Sequence, residues 1–230
     1  MNWDDKGFLI SKNKYNENSL ISEFFTKHHG KVSGVIFGAS SKKIKNYLLI
    51  GNKFHLNYNF KNDGRLGYFK IEIDNITTPH YLENKLKLAC ITYATHLVKV
   101  LTVENLQNLD VFQSFEEFFN FLNRDNWLKD FIHWELKIFK SLGYDINFNE
   151  YVYKKNINGN EKFIAKKNSI ETIIPNFLVN RDSNKNNLPT NSDLQIALKI
   201  NGDFLDKTIL KPNNIPYPNS RKHFISLIEL

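Results

Sequence analysis

The first 75 residues alternate between apolar and polar positions. Residues 7–14 centre on Phe8 and Ile10; residues 19–26 hold Leu20, Ile21, Phe24 and Phe25; residues 31–37 carry Val32, Val35 and Ile36. Residues 53–60 keep strict period two in Phe54, Leu56, Tyr58 and Phe60, and residues 65–74 place Leu66, Tyr68 or Phe69, Ile71 and Ile73. Successive side chains of a strand point to opposite faces, so this pattern predicts half-buried strands. The breaks at Asn16-Glu17-Asn18, His29-Gly30, Gly38-Ala39-Ser40-Ser41 and Asn62-Asp63-Gly64 have turn chemistry, and Asp63-Gly64 is the strongest local hairpin signal. Five short antiparallel strands in so small a segment predict a closed barrel. An OB-fold leads, with an SH3-like barrel as the alternative that strand count does not separate.

From Pro79 the period lengthens to that of a helix. Residues 81–101 put Leu82, Leu86, Ala89, Tyr93, His96 or Leu97 and Val100 on one face. Residues 114–123 open with Ser114-Phe115-Glu116-Glu117, a capping-box spacing. Asp125 is the expected cap of a following helix through Leu128, Phe131, Ile132, Glu135, Leu136 and Phe139, closed by Gly143. Residues 192–210 and 218–230 read as two more helices, and no internal repeat is visible. Residues 151–191 are rich in Asn and Lys with short β-like runs at 162–165 and 170–174. The predicted class is therefore α+β: a five-stranded OB-fold barrel over residues 1–76, then a mainly α-helical domain over 77–230. That domain carries a small irregular β-containing insertion at about 144–191.

Composition supports a folded chain: 41% of the 230 residues are hydrophobic, with 19 Phe, 10 Tyr and 3 Trp, whereas disordered chains lack such a supply. Apolar runs are a few residues long, far short of the roughly 20 that span a bilayer. The N-terminus Met1-Asn2-Trp3-Asp4-Asp5 has no apolar stretch, so no secretory signal is expected. Cys90, the one cysteine, allows no internal disulfide. Its place beside Ala89 on the apolar helix face marks it for packing rather than reaction. The expectation is a soluble, cytoplasmic protein without a membrane partner.

The net charge is +7. It is segregated: residues 1–75 carry +5, residues 76–150 carry −3 and residues 151–230 carry +5. Basic ends of this kind fit a polyanion-facing surface, and solvated faces produce them too. With 32 asparagines, part of the lysine excess reflects coding bias, so position matters more than total.

Catalytic constellations are missing from the sequence. It has no phosphate loop, no dinucleotide fingerprint, no nucleophile elbow and no zinc-protease helix. Gly34-Val35-Ile36-Phe37-Gly38 lacks the Lys-Ser/Thr of a phosphate cradle. His28-His29 reads as a turn rather than a ligand pair, and Glu116-Glu117 as helix-start chemistry. The expectation is a protein that is not an enzyme and needs no cofactor or metal.

The positive signal is Lys42-Lys43-x-Lys45 after Gly38-Ala39-Ser40-Ser41. A flexible loop with hydroxyls and three lysines meets several phosphates at once, giving sequence-independent affinity through counterion release. Lys12, Lys14, Lys31, Lys53, Lys61, Arg65 and Lys70 accompany it, as do the aromatics Phe8, Tyr15, Phe37, Tyr47, Tyr58 and Tyr68. Phosphate contacts combined with aromatic stacking are how OB-folds hold single strands. The candidate nucleic-acid set is Lys12, Lys14, Lys31, Ser41, Lys42, Lys43, Lys45 and Arg65. For any single aromatic the plainer reading is barrel filling.

The N-terminal half resembles the RecO family of bacterial recombination mediators. The matching stretches are Gly7-Phe8-Leu9-Ile10-Ser11, Asn16-Glu17-Asn18-Ser19-Leu20, Phe25-Thr26-x-x-x-Gly30-Lys31-Val32, Gly38-Ala39-Ser40-Ser41-Lys42-Lys43 and Tyr47-Leu48-Leu49-Ile50-Gly51. The second half is similar to the family through Phe131-Ile132-His133-Trp134-Glu135-Leu136-x-Ile138-Phe139-x-x-Leu142-Gly143-Tyr144 and Asn219-Ser220-Arg221. The resemblance implies an OB-fold followed by a helical domain. It also implies non-catalytic work on single- and double-stranded DNA at the nucleoid: annealing complementary strands and helping RecA load. The implied partners are RecR, RecF with it, RecA, and the acidic tail of the single-strand-DNA-binding protein, with Lys129, His133 and Lys137 on the matching helix. Trp134 and Leu136 there also read as core. Many family members carry a cysteine zinc finger after the Leu-Gly-Tyr stretch; residues 151–191 contain no cysteine, so zinc is not expected. The rival readings are a basic OB-fold that binds RNA, a protein-assembly adaptor, and a nuclease, for which no clustered carboxylates are apparent.

Overall fold

The computed structural model of the chain describes residues 2–60, 66–157, 160–167, 169–180 and 188–228, with backbone alone at Lys43, Asn160 and Lys167. The alternating segments are strands: β1 (Asn2–Lys14), β2 (Ser19–Thr26), β3 (Gly30–Phe37), β4 (Lys53–Asn59) and β5 (Tyr68–Asn75), with the short helix α1 (Lys42–Lys45) between β3 and β4. They close into a barrel in the order β1-β2-β3-β5-β4. All neighbours are antiparallel except β3 and β5, which meet in parallel at Val35 and Tyr68. This five-stranded Greek-key closure is the OB-fold, and it decides between the two barrels the alternation allowed. The Asp63-Gly64 hairpin signal lies outside the described residues.

The barrel interior is filled by Leu9, Phe24, Val32, Ile36, Phe54, Leu56 and Phe69. Ala39, Ile44, Tyr47 and Leu48, around α1, close one end. Behind that plug, the buried Asn52 side chain accepts from the Thr77 and Thr78 N–H groups at 2.9 and 3.0 Å and donates to the Tyr47 carbonyl at 2.8 Å.

β1 starts five residues before its apolar alternation does, because Asn2–Lys6 pairs with β4 from Asn59 to His55. Asp5, its side chain 1% exposed, makes this possible. Its carboxylate accepts from the N–H groups of Lys6 and His28, each at 2.8 Å, and meets the ring Nδ1 atoms of His28 and His29, each at 3.0 Å. The His28-His29 turn is thus satisfied by one carboxylate, and Trp3 stacks on His29 with ring centroids 4.0 Å apart. Burial raises the Asp5 pKa, but these hydrogen bonds together outweigh it and hold the carboxyl below its ordinary value. A lowered folded pKa contributes stability that is fully present above the unfolded value of about 3.9 and is lost as pH falls through the folded value. Asp5→Ala is expected to cost about 2 kcal/mol at pH 7 by stranding buried donors. Denaturant unfolding at pH 7 and pH 3 checks this; the gap between wild type and variant must narrow in acid.

The chain divides into two compact units, residues 1–115 with 218–230, and residues 116–217. In the first, α2 (Lys85–Leu101) is capped by Asn84, whose side chain accepts from the Lys87 N–H at 3.0 Å. It starts later than its apolar period because Thr78–Tyr81 forms a 3-10 turn. Cys90 is fully buried on it. The C-terminal helix α7 (Asn219–Ile228) packs on α2 and buries Arg221, whose Nε donates to the Tyr93 hydroxyl at 3.2 Å. The Asn219-Ser220-Arg221 stretch therefore includes a core residue.

Helix α3 (Leu109–Phe121) corrects the expected start at Ser114. Asn108 is the cap, accepting from the Val111 N–H at 3.0 Å, while Ser114 lies fully buried within the helix. Its Ser-x-x-Glu spacing is a coincidence of the amphipathic period. Asp125 is likewise not the cap of α4 (Trp127–Ser141); Asn126 holds that position, without a side-chain bond. Gly143 ends α4 as expected: at φ +89° it lets its own N–H reach the Lys140 carbonyl and the Tyr144 N–H reach Phe139, both at 2.9 Å.

In the second unit, Phe118, Phe131 and Trp134 pack ring on ring. Trp134 and Leu136 are core residues, 3% and 4% exposed. The insertion is a regular antiparallel meander, β6 (Val152–Ile157), β7 (Asn160–Lys167) and β8 (Ile170–Ile174), followed by the turn of helix α5 (Asn176–Val179). Helix α6 (Asn191–Phe204) opens with a capping box between Thr190 and Asp193 and runs on as a π-helical stretch, Leu205–Leu210.

Candidate nucleic-acid interface

The barrel end at which β1 and β3 finish and β5 begins gathers most of the candidate residues. Lys14 ends β1, the N–H of Tyr15 after it bonds the Ser19 carbonyl at 3.0 Å, and Ser19 pairs with Phe37 at the end of β3. Gly38 follows in the left-handed region at φ +69°, turning the chain so that the Ala39 N–H reaches the Asn18 carbonyl at 3.0 Å. The Ser40 hydroxyl bonds the Asn18 side chain at 2.5 Å, joining the two loops.

Lys42–Lys45, expected as a flexible loop, is a helical turn instead. Ile44 and Tyr47 dip into the barrel core and fix it, leaving Ser41, Lys42 and Lys45 exposed. Lys14, Lys42 and Lys45 have no ion-pair partner among the described residues. Lys12 is half-buried beside them and its ammonium donates to the Leu48 carbonyl at 2.6 Å. Burial, and then the Lys45 charge, push its pKa down from the ordinary lysine value. A phosphate between Lys12 and Lys45 turns that repulsion into shared attraction.

Lys31 stands apart. Its Nζ donates to the Lys99 and Thr102 carbonyls at 2.9 and 2.8 Å, at the C-terminus of α2. Lys99 reaches back to Ser11 and Glu23, at 3.0 and 2.9 Å. Helix α2 thus occupies the outer face of β1–β3 at this level, part of the face through which OB-folds hold oligonucleotides. Arg65 lies outside the described residues, as does the side chain of Lys43.

The aromatics divide evenly. Phe8 packs on Phe112 and Phe115, and Tyr47 and Tyr58 line the barrel core. Tyr15 and Phe37 are each 59% exposed, and Tyr68 is half-buried. These three share the lysine-rich barrel end.

Of the expected tail-binding residues, His133 and Lys137 line a cavity of about 310 Å³ with Glu117, Asn120, Phe121, Arg124, Asp130 and Trp134. Its basic groups already face acids, Lys137 with Glu117 at 2.6 Å and Arg124 with Asp130 at 3.3 Å. Lys129 is not part of it and lies 6.0 Å over the Phe177 ring. Arg124 was missed in the sequence, where it sits in a turn between helices with no periodicity to mark it.

The insertion does not fit a zinc site. Residues 151–191 contain neither cysteine nor histidine. Glu161 is held by Lys154 at 2.9 Å, and Glu171 by Lys155 at 2.5 Å and the Tyr153 hydroxyl at 2.7 Å. Incubation with EDTA is expected to leave the thermal midpoint unchanged; a fall of several degrees would require a metal elsewhere in the fold.

Among the described residues, no helix is long and apolar enough to cross a membrane. Comparison with known proteins agrees with the barrel and the helices in turn. The model of the recombination protein O N-terminal region matches residues 1–75, and that of its C-terminal region matches residues 82–200. DNA repair protein RecO of Wolbachia sp. subsp. Drosophila simulans is 26% identical over 99% of this chain and 100% of its own length. Those of Ehrlichia chaffeensis and Rickettsia typhi are 26% and 28% identical, each covering at least 99% of both chains. The chain belongs to the RecO family of DNA repair and recombination proteins.

Proposed function

We propose that this chain is a non-catalytic, cytoplasmic, nucleoid-associated DNA-binding factor that anneals complementary strands and mediates RecA loading. The observation that carries this reading is the barrel end that bears Lys12, Lys14, Ser41, Lys42 and Lys45 together with exposed aromatics. Dispersed lysines neutralise phosphates of single or double strands without reading sequence, which is what bringing two strands together requires. Lys43 and Arg65 stay in the proposed DNA-binding set on their charge and place in the sequence. The test is annealing of complementary oligonucleotides, with and without single-strand-DNA-binding protein. Acceleration that fades as salt rises supports the proposal. No DNA affinity at low salt, or a clear preference for RNA of the same sequence, overturns it.

RecR, RecF and RecA are the proposed protein partners, from membership of the family. For the acidic tail of the single-strand-DNA-binding protein, the 310 Å³ cavity supplies apolar walls from Phe121 and Trp134, cations from Arg124 and Lys137, and the imidazole of His133. A tail carboxylate replaces Glu117 or Asp130 as the ion-pair partner. With a peptide of that tail, Arg124→Ala and Lys137→Ala are each expected to weaken binding about fivefold, the scale of a partly exposed ion pair. Lys129→Ala should leave it within twofold. Equal loss in all three variants would place the peptide elsewhere on α4.

A further inference from the structure

We propose that Tyr15, Phe37 and Tyr68 form a stacking platform for unpaired nucleobases, which makes this barrel end prefer single strands to duplex. The inference rests on the DNA-binding reading above and deepens it by naming the part of the nucleic acid that these side chains meet.

The three rings are brought together by topology rather than by sequence. Phe37 and Tyr68 lie on the one parallel junction of the barrel, their centroids 5.8 Å apart and their planes at 54°. Tyr15 is brought to the same end through Ser19, which pairs with Phe37. Phe37 occupies the outward register of β3, since Val32 and Ile36 fill the core. Neither it nor Tyr15 is needed to close the barrel, which Ala39, Ile44, Tyr47 and Leu48 already plug. Two large aromatic groups left 59% exposed at one barrel end cost solvation and therefore ask for an occupant. Leu66, 48% exposed two residues before Tyr68, extends the apolar area.

The charge around the platform selects the occupant. Lys14, Lys42 and Lys45 are exposed on the same end with Lys12 behind them, against, among the described residues, the carboxylate of Glu17 in the β1–β2 loop. An apolar protein segment gains nothing from four cations, and an acidic one gains nothing from open ring faces. A strand with π faces alternating with phosphates uses both. Duplex DNA has its bases stacked and turned inward, so it can use only the lysines. The turn at Gly38 keeps the approach clear: a Cβ built there has no atom within 4 Å. Helix α2, held against the outer face by Lys31 and Lys99, closes the path on the other side. Stacked bases are therefore expected to run from Tyr15 across Phe37 to Tyr68.

The experiment measures binding of a fluorescent oligothymidine and of a hairpin duplex to the full chain, at equal salt, for wild type, Phe37→Ala/Tyr68→Ala and Phe37→Trp. The expected result for the double variant is a loss of about tenfold or more on the single strand, with duplex affinity within twofold and an unchanged salt slope. Phe37→Trp should keep single-strand affinity, and its emission should be quenched by the single strand but not by the hairpin. Thermal melting verifies that each variant folds. Single-strand affinity that survives in the double variant, or an equal loss on both ligands, overturns the platform while the lysine-based DNA reading stands. Absence of wild-type affinity for either ligand at low salt overturns that reading and the platform with it. RNA bound with the same Phe37 dependence supports base stacking and changes only the source of the strand.

Discussion

Gly30→Ala is expected to lower the thermal midpoint by about 10 °C, a large effect for a single methyl group. Gly30 follows the His28-His29 turn at φ +67°, where a residue with a Cβ is strained by about 1–2 kcal/mol. A Cβ built there lies 2.0 Å from the Leu106 carbonyl oxygen, 2.5 Å from its carbon and 3.0 Å from its nitrogen. All three are backbone atoms, so no rotamer change relieves the clash. Nor does the opposing segment move freely: the Asn105 N–H is bonded to the Lys31 carbonyl at 2.9 Å, and Lys31 Nζ holds Thr102. Overpacking of this kind adds about 1–3 kcal/mol, for a sum of about 3–4 kcal/mol. Gly38→Ala is the internal comparison. At φ +69° it meets the same conformational strain, but its Cβ has open space, so a loss of about 1 kcal/mol and about 3 °C is expected. Melting followed by circular dichroism separates them. Equal midpoints would mean that the segment around Leu106 yields, and that contact with it does not hold the β2–β3 turn.

Gly30 also shows which parts of the architecture were legible. The stretch Phe25-Thr26-x-x-x-Gly30-Lys31-Val32 carried the resemblance to the family, yet nothing in it reveals that Gly30 lies under a segment 76 residues further on. The strands were readable because period two is local. Closure between β3 and β5 was not, because it rests on one parallel pair, Val35 with Tyr68. The first five residues of β1 were hidden by polarity: Asp5 reads as surface until its four hydrogen bonds, to Lys6, His28 and His29, are in place. In the insertion, Asn and Lys masked a regular meander, since exposed strands need a backbone ladder and little apolar content. At the candidate site the residue types were legible and their employment was not. Lys31 and Lys42 look alike in the sequence; one ammonium is spent on the end of α2 and the other faces solvent.

That difference between lysines gives the second large effect. Changing Lys42, Lys43 and Lys45 together to alanine is expected to weaken single-strand binding about 100-fold at 0.1 M salt. Each lysine that neutralises a phosphate contributes about 0.7 to the slope of log affinity against log salt on single strands, or about fivefold in affinity at that salt. Three such contacts lower the slope by about 2. Folding should be nearly untouched, because Lys42 and Lys45 are exposed and unpaired by acids, alanine suits a helical turn, and Ile44 still anchors it. Lys31→Ala should behave oppositely. It strips a donor from two carbonyls at the end of α2 and costs about 1–3 kcal/mol of stability, while the salt slope stays that of wild type. A salt titration of affinity on both variants, with melting on the same samples, decides between the two roles. If Lys31→Ala flattens the slope and the triple variant does not, the polyanion lies over the α2 side of the barrel, and the end bearing α1 is not its site. If the triple variant loses affinity equally for single strand and hairpin, the lysines serve phosphates alone, and any preference for unpaired strands must come from the rings beside them.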